Sequence, residues 1–295
     1  MRRTPFIVFD ERGQVLVDFE PSPGDAATVY VSPQDLPHLR TYLRQHLSAI
    51  TSAEQIPPDD VAWAIHRSML YEASVAFREV NGRIPTAELI AILHRALDFQ
   101  LRHRGDFPYL DVFFRAPYTS VTHAIETSLT ATALAVAEGR LGEEGLRSVA
   151  IGGLFADVAK LNLSSEMLMR DGPLDEGEWR LMRQHSLRSA EIMHRAGIVN
   201  RAALRGAISH HERSDGSGYP DMLRGEDIPP EARHIAIADV FSAMTVDRAF
   251  QARVDPFDAL TEMARDGGGG LDPALLRTFI QLLAKRHTDE TVRAA

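Results

Sequence analysis

From about residue 53 onward apolar residues return at helical spacing and hardly stop, which leaves this chain few folds to adopt. In "DDVAWAIHRSMLYEASVAFREV" the residues Val61, Ile65, Met69 and Leu70 fall on one helix face. "PTAELIAILHRALDFQLRH" is a second helix, with Pro85 near its first turn and Thr86 at the cap position. The same spacing predicts helices over about 120–139, 144–161, 175–196, 199–212, 231–247, 255–266 and 272–285. Such a chain, with no internal repeat, buries its apolar faces helix against helix in a bundle.

The first fifty residues read differently. "PFIVFDERGQVLVDF" predicts strand, turn and strand: Phe6 to Phe9, a turn at Asp10 to Gly13, then Val15 to Phe19. "PSPGDAA" breaks the pattern, "TVYV" is another short strand, and "SPQDLPHLRTYLRQHL" starts a helix capped by Ser32 or Asp35. The expected fold class is therefore mainly α: an all-helical bundle preceded by a small α+β unit. The expected divisions are an accessory or regulatory α+β unit over 1–52, connecting helices over 53–105, and a helical domain over 106–295. "DGGGGLDP" at 266–273 lacks the Gly-Lys-Ser/Thr ending of a phosphate-binding loop and reads as a connector.

Charge and composition narrow the function. At a net charge of −9 the chain is a poor partner for a nucleic-acid polymer, because phosphate affinity comes from clustered Lys and Arg. It has no cysteine, so any metal must sit on His, Asp and Glu, which favours ions such as Mn, Fe(II), Mg or Zn. No stretch approaches a membrane span, and the apolar run near the start is too short for a signal-peptide core. The expected location is the cytoplasm.

Several apolar helical stretches each hold a single His or Asp. Asp157 lies in "AIGGLFADVAKL", read as a largely buried helix; an i,i+3 pair with Lys160 would also account for it. His123 opens "THAIETSLTATALA", His185 sits in "RLMRQHSLRSAEIM", His210 and His211 end "AALRGAISHH", and Asp239 lies in "IAIADVFSAMTVD". A bundle builds metal sites this way, from side chains on facing helices. His38, His46, His66, His94, His103, His194 and His287 have no acidic cluster behind them. Read blandly, His210-His211 is a helix end with a favourable dipole, and "DGSGYP" an ordinary turn.

Taken whole, "HHERSDGSGYP" at 210–220 resembles the signature of the HD-GYP family, bacterial phosphodiesterases that hydrolyse cyclic di-GMP. "MRQHSLRSAEIM", "IAIADVFSAMTVDRAF" and "GGGGLDPALLRTFI" resemble further blocks of that family, in its order, so the likeness runs over roughly 106–285. The resemblance implies an HD-superfamily helical bundle and a divalent metal centre of two sites at most, taking Fe, Mn, Mg, Zn or Ni. It implies His123, Asp157, His185, His210, His211 and Asp239 as metal ligands, with Asp157 bridging. Lys160 would act in catalysis with Asp157, by steadying phosphate charge. Arg248 would hold a substrate phosphate, and Gly218, Tyr219 and Pro220 would shape the substrate wall. Glu212 and Asp215 would sit behind the ligands, orienting the histidines and the turn.

The chain departs from the family pattern at telling places. The His of the family's His-Asp pair is Ala156, and a methyl group cannot ligate a metal. Thr119 stands where some members carry a glutamate ligand for a third metal, Ser242 where a second acid is common, and Gln251 where a basic residue usually follows. Hydrolysis of cyclic di-GMP is therefore expected to be weak or lost. The alternative is an inactive module that binds metal, cyclic di-GMP or a GGDEF-domain protein, or pairs as a homodimer.

Overall fold

The structure is a computed structural model that describes residues 8–9, 15–16, 30–31, 36–54, 56–81, 84–103, 119–168, 172–245, 253–265 and 270–293. The chain divides into two units, Met1–Glu54 and Gln55–Ala295. In the first, three two-residue strands, β1 (Val8–Phe9), β2 (Val15–Leu16) and β3 (Tyr30–Val31), pair antiparallel in the order β2-β1-β3. Helix α1 (Leu36–Ser52) follows, with Leu39, Leu43 and Leu47 buried along one face.

The second unit is helical throughout its described residues. Its helices are α2 (Pro58–Ala76), α3 (Ala87–Arg102), α4 (Ser120–Glu138), α5 (Glu143–Phe155), the short α6 (Ser165–Leu168) and α7 (Glu176–Arg195). Then come α8 (Arg201–Ser209), α9 (Pro230–Met244), α10 (Pro256–Ala264) and α11 (Pro273–Arg293). No helix among the described residues is long and apolar enough to cross a membrane.

Local chemistry fixes the helix ends. Thr119 and Asp175 close capping boxes at the starts of α4 and α7. Asn200 caps α8, and prolines open α2, α9 and α10. Gly139 ends α4 in the left-handed region at φ +74°. Every residue from Thr122 to Val136 is buried, so α4 is the central helix of the unit. Helix α5 packs against it at very short range. A Cβ on Gly153 would lie 3.0 Å from Ser128 Cα of α4. One on Gly152 would lie 3.0 Å from Ala203 O of α8 and 3.0 Å from Ile235 Cδ1 of α9. Two hydrogens on successive residues thus let α5 slot between three neighbours.

Two expected helices end early, and both differences matter for the site. The helix expected over 144–161 stops at Phe155. Asp157 leaves it with φ −106° and ψ 5°, and a 3₁₀ turn runs from Val158 to Asn162. Asp157 is thus at a helix exit rather than within a helix. The amides released there find partners: Lys160 N donates to Asp157 O at 2.9 Å, and Ala159 N to Ser189 Oγ at 3.1 Å. The helix expected over 199–212 ends at Ser209, so His210 and His211 follow it. At the other extreme, the last helix reaches Arg293 rather than 285.

Buried inside α4 is an acid that the sequence does not flag. Glu126 is 1% exposed and its Oε1 has no hydrogen-bond partner. Burial pushes its pKa up to about 8, against the pull of His123. The folded chain keeps this proton to about pH 8, whereas the unfolded chain releases it near 4.5. The contribution of this group to stability is therefore fully present below 4.5 and is lost as pH rises to about 8. Glu126→Gln is expected to abolish that decline, gaining about 4 kcal/mol near pH 7.5 and little near pH 4.5. Urea unfolding at the two pH values checks it, and parallel curves for parent and variant would refute it.

Candidate metal centre

The exit of α5 points one carboxylate into the middle of the second unit, and the histidines converge on it. His123 comes from α4, His185 from α7, His210 and His211 from just past α8, and Asp239 from α9. The six candidate ligands of the sequence thus meet at one place. They form two groups that share Asp157: Asp157, His185, His210 and His211, and His123, Asp157 and Asp239. In each group one donor atom per residue lies within 4.8 Å of every other.

The two oxygens of Asp157 face opposite ways. Oδ1 lies 3.0 Å from His185 Nε2 and 3.5 Å from His210 Nε2. Oδ2 accepts from Lys160 Nζ at 2.7 Å and lies 3.4 Å from His123 Nε2. His123 Nε2 is also 3.0 Å from Asp239 Oδ1. Lys160 therefore makes the i,i+3 pair that the bland reading expects, and it does so inside the cluster.

Protons decide what the imidazole-rich group can do. His185 Nδ1 donates to the Met182 carbonyl, and His210 Nδ1 to the Ala207 carbonyl at 2.7 Å. A carbonyl only accepts, so each Nδ1 carries a proton and leaves Nε2 as the atom that can present a lone pair to a metal. Those lone pairs meet the carboxylate oxygen Asp157 Oδ1. His211 Nε2 lies 3.2 Å from His185 Nε2 and, with no cation between them, donates its proton to that lone pair. Despite the short separations, Asp157 Oδ1 and His210 Nε2 are buried without a hydrogen-bond partner. Lone pairs converging on a buried point repel unless a cation lies between them. Three imidazoles and a carboxylate oxygen are a donor set suited to a divalent transition ion. The residues therefore fit a metal.

Titration agrees with this picture. Burial pushes His185 down against the pull of Asp157, and burial with the adjacent His210 holds His211 well below the usual histidine range. Burial would raise Asp157, but Lys160 and the surrounding imidazoles hold it well below the carboxylate range. Asp239 is held low against burial, chiefly by His123. His123 behaves oppositely: burial would lower it, and the Asp157 and Asp239 carboxylates instead raise it to about 9.

The rest of the signature builds the turn. Tyr219 stacks on His211, centroids 4.7 Å apart, and its N–H donates to His211 O at 3.2 Å. The Tyr219–Pro220 bond is cis. Glu212 is buried and accepts from Asp221 N at 2.7 Å and Leu223 N at 3.0 Å, so it ties the turn to itself. Asp215 accepts from Ser217 N at 2.8 Å. Gly218 sits where a Cβ would lie 2.4 Å from Arg213 N and 2.5 Å from both Glu212 Cα and His211 O. Arg248 and Gln251 lie outside the described residues. Thr119 caps α4, and Ala156 is buried beside Asp157 at the end of α5.

Two contributors were not legible as such. Ser242 Oγ lies 3.2 Å from His123 Nδ1 and 2.9 Å from Thr127 Oγ1. Its place three residues after Asp239, on the same helix face, was the available signal. Gly270, from the loop read as a connector, accepts from Ser214 N at 2.6 Å. A Cβ on it would lie 2.8 Å from Arg213 Cβ, so the loop braces the turn. Nothing in the local sequence announces that contact.

A helical bundle whose facing helices converge His and Asp on one point defines the class. Residues 118–275, just over half of the 295-residue chain, match the HD domain family. The chain belongs to that family. It is 33% identical over 180 residues to the 3'3'-cGAMP-specific phosphodiesterase 3 of Vibrio cholerae, covering 59% of this chain and 38% of that one. It is 38% identical over 149 residues to the cyclic di-GMP phosphodiesterase response regulator RpfG of Xanthomonas campestris pv. campestris, covering 48% and 39%. The chain thus spans about two fifths of the length of these curated relatives. Among solved structures, Bd1817, an HDG"Y"P protein from Bdellovibrio bacteriovorus, shares the fold at a TM-score of 0.65. That alignment covers 96% of each chain at 15% identity.

The tightness of the turn gives a test. Gly218→Ala forces a methyl against three backbone atoms that cannot rotate away, and is expected to destabilise the protein by about 3 kcal/mol. Denaturant unfolding measures that loss. The variant should also move Tyr219 off His211, seen as loss of the ring-current shift on the His211 imidazole protons. An unchanged shift and midpoint would refute the reading.

Proposed function

We propose that the chain is a metal-dependent phosphodiesterase of cyclic dinucleotides, with cyclic di-GMP the first substrate to test and 3'3'-cGAMP the second. The observation that carries this is the convergence of three imidazole nitrogens and a carboxylate oxygen on one buried point, beside an ammonium group. The relatives named above, phosphodiesterases of those two nucleotides, support the choice of substrate.

The residues that would hold a divalent ion are Asp157, His185, His210 and His211, with His123, Asp157 and Asp239 as a second set. When bound, the ion supplies Lewis acidity: it draws charge from the phosphodiester and makes water a stronger acid. Mn and Fe(II) suit the mixed His and carboxylate donors. The chain's own residues do the remainder. Lys160, its side chain 21% exposed, lies close enough to the surface to exchange Asp157 for a substrate phosphate oxygen. Tyr219, Gly218 and Pro220 form a rigid wall, with Arg248 assigned to a phosphate. Hydrolysis adds a water oxygen to phosphorus, breaks one bridging P–O bond and delivers a proton to the departing ribose oxygen.

Ala156 favours a second reading, a module that binds the nucleotide or a GGDEF-domain partner without turnover. The two are separated by a product assay on cyclic di-GMP with Mn or Fe(II) supplied anaerobically. The parent is expected to be slow, Ala156→His faster by about tenfold or more, and Asp157→Ala inactive. Product from the parent no greater than from Asp157→Ala, with nucleotide still bound, would replace the first reading by the second.

A further inference from the structure

We infer that the centre is mononuclear: one ion sits among Asp157 Oδ1, His185, His210 and His211, and the Lys160 ammonium stands in for a second cation beside Asp157 Oδ2 and Asp239. This rests on the metal-dependent reading above and deepens it.

The two halves of the cluster are unequally satisfied. Within it, the buried atoms left without a hydrogen bond, Asp157 Oδ1 and His210 Nε2, both belong to the imidazole-rich half. The other half is closed by the chain itself. Asp157 Oδ2 accepts from Lys160 at 2.7 Å. His123 Nε2 donates to Asp239 Oδ1 at 3.0 Å, and Ser242 Oγ meets His123 Nδ1 at 3.2 Å while paired with Thr127. An ion entering there would have to break the ammonium contact and strip the proton from His123. Among the described residues it would gain three protein ligands, His123, Asp157 and Asp239, against four in the first half. An ion entering the first half displaces the His211–His185 hydrogen bond but no charged contact, and relieves both orphaned atoms.

Charge points the same way. Two carboxylates already face the Lys160 ammonium and His123, so each divalent ion adds positive charge to a buried site, and a second would do so at a steep cost in low dielectric.

The test uses the full chain stripped of metal and titrated with Mn(II), counting ions by equilibrium dialysis and following their EPR. One ion per chain is expected, with the six-line spectrum of isolated Mn(II). His123→Gln is expected to keep its Kd within about threefold, whereas His210→Gln weakens it by about 10–100-fold or more. Should His210→Gln fail to fold by circular dichroism, His211→Gln carries the same expectation. The double variant Ala156→His, Lys160→Met is expected to take up a second ion and show an exchange-coupled spectrum. Two coupled ions in the parent, or equal weakening by His123→Gln and His210→Gln, would overturn the inference and leave the phosphodiesterase reading standing. No bound ion at all would overturn both.

Discussion

The structure depends on one buried carboxylate. Asp157 is 7% exposed, and an isolated charge so far from water is prohibitively unfavourable. It persists because each of its oxygens has its own surroundings, an ammonium on one side and imidazoles on the other. Everything nearby serves that placement. Helix α5 approaches α4 closely because Gly153 has no side chain, and it ends at Phe155 so that the carboxylate emerges from a turn. The 3₁₀ turn then brings Lys160 back onto the group that its own helix exit exposed.

The eleven-residue signature divides its labour. Two histidines face the centre, and most of the remaining residues hold the turn. Glu212 accepts two backbone amides, Gly218 lets the chain fold back within contact of its own backbone, and Tyr219 covers His211. Gly270 reaches in from a distant loop to complete the brace. Glu212, expected to orient the histidines and the turn, binds the main chain of the turn at Asp221 and Leu223.

The helical architecture and the six converging residues were legible because apolar periodicity and a long signature survive in a single sequence. The helix exit at Phe155 was not, because apolar spacing continues past it. Burial of Val158 and Ala159 maintains the helical pattern even though the backbone has changed. Ser242 was legible only as a missing acid. That a hydroxyl in its place still reaches His123 depends on the packing of α9 on α4, which no local pattern records. Gly270 was illegible for the same reason, since its partners lie over fifty residues away.

The proton acceptors behind the histidines have a consequence for how this protein can change over generations. His185 and His210 are set by main-chain carbonyls, which every amino acid supplies, so no single substitution removes those acceptors outright. His123 is set by a serine hydroxyl, which one codon change can erase. The imidazole-rich half is thereby sheltered from drift, while the other half is exposed to it. Ser242, one of the departures from the family pattern, falls on that exposed side.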